Sequence, residues 1–81
     1  MTIVELNREI FTIIRNSTEA DVSITEGTHL FTDLGLSSVE VMMLISDLED
    51  SFGVSIPAAS LRQVQTAGDL CGVVLDILRK G

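Results

Sequence analysis

Apolar residues recur at helical spacing in three stretches of this chain. Ile3, Leu6, Ile10, Ile13 and Ile14 share one face, which Val4 and Phe11 widen, and they predict a helix from about Ile3 to Asn16. Val41, Leu44, Ile45, Leu48 and Phe52 likewise predict a helix from Ser38 to about Phe52, stopped by Gly53. Leu70, Cys71, Val73, Val74, Ile77 and Leu78 predict another from Ala67 to Arg79. Gly68 and Gly72 weaken it slightly, and Arg79 and Lys80 suit its C-terminal end. Pro57 favours a fourth, short helical turn reaching towards Gln63.

Each long helix starts with the same device. Thr2 to Glu5, Ser37 to Glu40 and Thr66 to Asp69 all fit the pattern Ser/Thr-x-x-acid. In that pattern the first side chain caps the helix, and the acid reaches back to the N–H of the cap residue. The segment 17–36 between the first two helices is long for a connection in a small domain, and such connections are often functional. Val22, Ile24, Leu30, Phe31, Leu34 and Leu36 are expected to tack it onto the helices.

Eighty-one residues, 46% of them hydrophobic and only three aromatic, suit one all-α domain with an aliphatic core spanning 1–81. One cysteine, Cys71, forms no internal disulfide, and one cysteine with one histidine, His29, makes no zinc site. The net charge of −7 is unevenly spread. Between Arg15 and Arg62 lie Glu19, Asp21, Glu26, Asp33, Glu40, Asp47, Glu49 and Asp50, with no Lys or Arg. That stretch disfavours nucleic acid and anionic membrane surfaces, and favours basic protein partners. No basic segment leads into an apolar run at the start, and no apolar run is long enough to span a bilayer. We expect a cytoplasmic, monomeric, free-standing protein with a reduced thiol.

Conventional catalytic chemistry finds no foothold. His29 lies in the long connection, no G-x-S-x-G elbow presents a serine, and Cys71 sits on an apolar stripe. Both residues read as structural or merely exposed. No G-x-G-x-x-G or P-loop occurs. A calcium loop starting at Asp47 would need Gly at its sixth position and Glu at its twelfth, where Phe52 and Ala58 stand. We therefore expect neither a metal site nor a catalytic residue.

The remaining feature is Asp33-Leu34-Gly35-Leu36-Ser37-Ser38-Val39-Glu40. The spacing to Glu40 makes Ser37 the N-cap, its oxygen turned onto backbone N–H groups. Ser38 is then the first helical residue, and its hydroxyl is left free beside unpaired N–H groups that favour an anion. Simple capping by both serines is the competing reading. Opposite the core face, Val39, Glu40, Met43, Asp47 and Asp50 mix apolar and acidic side chains, the composition of a docking surface.

These residues resemble the acyl carrier protein family, whose motif is D-L-G-x-D-S-L followed by a helix ending in acid-acid-x-F and an I-P step. Asp33-Leu34-Gly35-Leu36-Ser37-Ser38-Val39, Glu49-Asp50-Ser51-Phe52 and Ile56-Pro57 carry the resemblance, which covers nearly the whole chain. It implies a four-helix bundle with a long first loop. It implies a 4′-phosphopantetheine arm on Ser38, the third residue after Gly35, transferred from coenzyme A by a phosphopantetheinyl transferase. The arm's thiol would hold acyl groups as thioesters, so the protein would be a carrier and not an enzyme. The second helix would recognise the transferase and ketosynthase-type or acyl-loading enzymes through their basic patches. Ser37 departs from the usual Asp, which removes one charge beside the attachment site. Met43 and Ser46 leave the second helix less acidic than is usual in primary fatty-acid carriers. Both point towards polyketide or other specialised assembly over fatty-acid synthesis. A peptidyl carrier would show a G-G-x-S motif, which is absent here. A cofactor-free acidic adaptor is the alternative from a different class.

Overall fold

In a computed structural model, residues 2–18, 21 and 23–80 are described. Helix α1 is Ile3–Asn16. Its N-cap is Thr2, whose hydroxyl accepts the Glu5 N–H at 3.1 Å. The box is only half formed. The Glu5 carboxylate takes the Thr2 hydroxyl proton at 3.1 Å. Leu6, Ile10 and Ile14 are buried, and Phe11 and Ile13 pack partly against them. Ile3 and Val4, expected in the core, are exposed. They belong to the first turn, where Ile3 only lines the rim of a shallow groove with Leu75 and Leu78.

Helix α2, Ser38–Phe52, buries Val41, Leu44, Ile45 and Leu48 and ends at Gly53. Gly53 has φ +64°, the left-handed conformation that a C-terminal glycine supplies without strain. The Glu49 carboxylate then reaches past the helix end and accepts the Ile56 N–H at 2.7 Å, which fixes the step into Pro57. The short helix α3 is Ala58–Leu61. Helix α4 is Ala67–Lys80, one residue longer than expected, and it buries Ala67, Leu70, Cys71 and Val74. Leu78 lies at its exposed end, outside the core. Helix α1 packs against both α2 and α4. The described residues form no strand, and an isolated bridge joins His29 to Thr66. None of their helices is long and apolar enough to cross a membrane.

The long connection is tied down by its backbone. The Ala67 and Gly68 N–H groups, which open α4 and have no partner within it, donate to the Thr28 and Glu26 carbonyls at 2.9 Å each. Leu30 N–H donates to the Gln65 carbonyl at 2.8 Å. Leu30, Leu34 and Leu36 are buried, and Ile24 packs partly against the core. Phe31 is exposed and does not serve as a tack. Its ring sits edge-on to His29 instead, with centroids 6.0 Å apart. Val22 lies outside the described residues.

Candidate functional site

The approach to α2 is built around His29. Its Nδ1 accepts the Phe31 and Thr32 N–H groups at 3.2 Å each, and the Asp33 carboxylate accepts the His29 N–H at 2.8 Å. His29 is therefore occupied as a turn builder, as expected of a structural histidine. Asp33 also folds its own N–H onto the His29 carbonyl at 3.0 Å, so the first residue of the motif closes the turn. Gly35 follows at φ +68° with nothing within 4 Å of where a side chain would start. The glycine thus answers a backbone requirement, not a steric one. Leu36 then buries its side chain and returns its N–H to the Leu30 carbonyl at 3.1 Å.

The chain enters α2 through a complete capping box. Ser37 Oγ accepts the Glu40 N–H at 3.1 Å, and Glu40 Oε1 accepts the Ser37 N–H at 3.0 Å. This leaves the two serines in different states. Ser37 is committed to the backbone. Ser38 is exposed, and its hydroxyl has no partner among the described residues. The Ser38 and Val39 N–H groups also lack an acceptor there, because the first amide of the helical ladder is that of Val41, donating to the Ser37 carbonyl at 2.9 Å. An exposed hydroxyl beside two open N–H groups at a helix start suits a phosphodiester.

The outer face of α2 is formed as anticipated. Val39 is 66% and Met43 64% exposed, and Glu40, Asp47 and Asp50 are exposed with them. The sequence reading missed Met42, which is 63% exposed and flanks the face on its other side. Helical spacing placed it between the core and the outer face, so no sequence signal marked it. Away from this face, Cys71 is buried, and loss of water around it is the main cause that pushes its thiol up to about 11. At neutral pH it stays protonated and packs as a small apolar group. No group of three or more potential metal ligands occurs among the described residues.

Comparison with known proteins adds a class to this geometry. Residues 8–74 match the phosphopantetheine attachment site family. A Caulobacter vibrioides protein designated an acyl carrier protein is 39% identical over 56 residues, covering 69% of this chain and 65% of its own length. The acyl carrier protein of Lactobacillus acidophilus is 36% identical over 66 residues, covering 80% of this chain and 82% of its own. Among solved structures, a Mycobacterium tuberculosis chain described as an acyl carrier protein superposes with TM-score 0.82 at 30% identity, covering 88% of this chain and 96% of its own. The chain belongs to the acyl carrier protein family, the non-catalytic carriers built on a phosphopantetheine attachment domain. When bound, the arm supplies a thiol that carries acyl groups as thioesters. The protein's share is attachment and presentation.

Proposed function

We propose that Ser38 carries the phosphopantetheine arm and that the outer face of α2 presents the loaded arm to successive enzymes. One observation carries this reading: of the two adjacent serines, only Ser38 keeps an exposed hydroxyl free of the capping box. On transfer, the Ser38 oxygen forms a new bond to phosphorus as the pyrophosphate bond of coenzyme A breaks. The nucleotide bisphosphate leaves, and the serine proton passes to the transferase.

Val39, Met42 and Met43 offer apolar contact on the docking face, while Glu40, Asp47 and Asp50 steer basic patches on the transferase and on ketosynthase-type or acyl-loading partners. Tethering raises the local concentration of the acyl group at each partner without any further contact. The reduced charge around Ser37, Met43 and Ser46 supports a carrier of a specialised pathway, such as polyketide assembly, working as a cytoplasmic monomer with its carrier domain over 1–81. Loading assays test the cargo class. Holo protein offered acyl donors and aminoacyl adenylates is expected to load only the acyl group. Loading by amino acids alone would make it a peptidyl carrier. Function that persists in Ser38→Ala would make it a cofactor-free adaptor.

A further inference from the structure

The apolar stripe of α1 is wider than the core covers. Val4 is 67% exposed, and Phe11 is only partly buried. With Ile24 of the long connection they line a hollow of about 390 Å³ along α1. Arg8 and Arg15 line it with them. Among the described residues no acid lines this hollow, and no residue of α2 does.

The lining repeats at heptad spacing. Val4 and Phe11 are seven residues apart, and so are Arg8 and Arg15. Seven residues bring a helix back to within about 20° of the same direction, so each pair forms a row about 10.5 Å long. An apolar row beside a charged row is the surface that one helix offers to another, with the charges choosing the partner. The sign of that charge is unusual for this chain. Arg8 and Arg15 are two of its five Lys and Arg, and no other precedes Arg62. The Arg8 side chain is exposed and makes no ion pair among the described residues. Arg15 has an interaction of its own, so Arg8 carries the argument. The neighbouring acids do not enter the hollow: the Glu5 carboxylate holds the Thr2 hydroxyl, and Glu9 lines a separate hollow beside Ser51.

We propose that this groove of α1 docks an acidic amphipathic helix of a partner protein, whose apolar residues cover Val4, Phe11 and Ile24 and whose carboxylate meets Arg8. It is a second docking surface, opposite in sign to the outer face of α2. A basic patch is drawn to Glu40, Asp47 and Asp50 and repelled here, and an acidic helix is sorted the other way. The two surfaces share no residue, so both can be occupied at once. A partner on α1 holds the domain in place while Ser38 and α2 stay open to enzymes, which raises their effective concentration. The inference goes beyond the attachment reading and stands independently of it. A net charge of −7 opposes both an anionic lipid sheet and a second copy of the chain, whereas a single helix meets only the groove.

The test is a titration of the full chain, followed by its backbone-amide spectrum. The probe is a synthetic amphipathic helix with leucine at one heptad position and glutamate at the flanking ones. Its control is the same peptide with every glutamate replaced by lysine. The expected result is a saturable shift of the Val4, Arg8, Phe11 and Ile24 signals with the glutamate peptide, weakening as salt is added, and none at these positions with the lysine peptide. Arg8→Glu is expected to weaken that binding by roughly fivefold, the upper range for one exposed ion pair, and Arg8→Lys to keep most of it. The Arg8 side chain is exposed, and unchanged core signals in the free variants verify the fold. No shift with the glutamate peptide, equal shifts with both peptides, or shifts centred on α2 would overturn the proposal. So would groove signals that move when the chain alone is concentrated, which would assign the groove to a second copy. Shifts with phosphatidylglycerol vesicles and none with the peptide would assign it to a lipid surface, and would overturn it equally.

Discussion

The Ser37 hydroxyl accepts the Glu40 N–H at 3.1 Å while the Glu40 carboxylate accepts the Ser37 N–H at 3.0 Å, so each residue closes an open backbone group of the other's. This reciprocal pair holds the start of α2 and keeps Ser38 out of the cap. Ser37→Ala is expected to cost about 1 kcal/mol, the usual loss for an N-cap, and Ser37→Asp to recover most of it. Urea unfolding followed by circular dichroism measures both. Ser37→Asp should also leave Ser38 open to modification, because the cap is still filled.

The same pair corrects a simple view of the acidic face. By charge alone, Glu40→Lys and Asp47→Lys look equivalent. Glu40→Lys also removes the acceptor of the Ser37 N–H, so it is expected to lower stability as well as binding. Asp47→Lys and Asp50→Lys touch no such bond and isolate the electrostatic effect. They should slow modification by a basic transferase at low salt, with the difference shrinking as salt is added, and leave the melting temperature nearly unchanged. Equal modification rates for parent and variants at low salt would argue against this docking face.

Helix α4 supplies a pH prediction. The Asp69 carboxylate accepts the Gln65 and Thr66 N–H groups at 3.1 Å each, and these bonds, that from Gln65 first, hold its carboxyl below the ordinary aspartate value. A depressed folded-state value means that the stabilisation is fully present above the ordinary pKa of about 3.9. It is lost as the pH falls through the lower folded value. Asp69→Asn should be less stable than the parent at pH 7, and the gap should narrow below about pH 4. The carboxylate is solvent-exposed, so the effect is modest. Denaturant midpoints across that range read it out, and a gap that does not change with pH would contradict the assignment.

Gly68 packs its backbone directly onto the long connection. A Cβ there would lie 2.8 Å from the Glu26 carbonyl oxygen, which also accepts the Gly68 N–H. Gly68→Ala improves helix propensity locally, yet it should destabilise the fold by roughly 1–3 kcal/mol, because backbone must move. Faster hydrogen exchange at Thr28 and Leu30 would locate the damage in the connection. A gain in stability would mean that the contact relaxes without cost.

The helices were legible because their periodicity, caps and stop signals agree with one another. Ser37 and Gly53 mark both ends of α2, and the apolar positions between them repeat on one face. The connection was legible only as a sequence of apolar anchors. What holds it is largely backbone: the Glu26 and Thr28 carbonyls on α4, the His29 ring on two amides, and Thr28, a buried polar residue that accepts the Thr25 N–H at 2.8 Å. Backbone pairing between distant segments leaves little trace in side-chain chemistry, so the roles of Thr28, Asp33 and Gly68 came only with the structure. Ile3, Val4 and Leu78 fail for a different reason. Periodicity assigns a face but not how far the neighbouring helix extends, and all three lie where cover ends. Ser38 stood out in the sequence because the capping box already claimed its neighbour.

The most direct test of the account is an intact mass of the protein after incubation with coenzyme A and a broad-specificity phosphopantetheinyl transferase, beside Ser38→Ala and Ser37→Ala. The account predicts one phosphopantetheinyl group on the parent and on Ser37→Ala, and none on Ser38→Ala. A gain that survives in Ser38→Ala, or that disappears only in Ser37→Ala, would contradict the division of labour between the two serines on which the account rests.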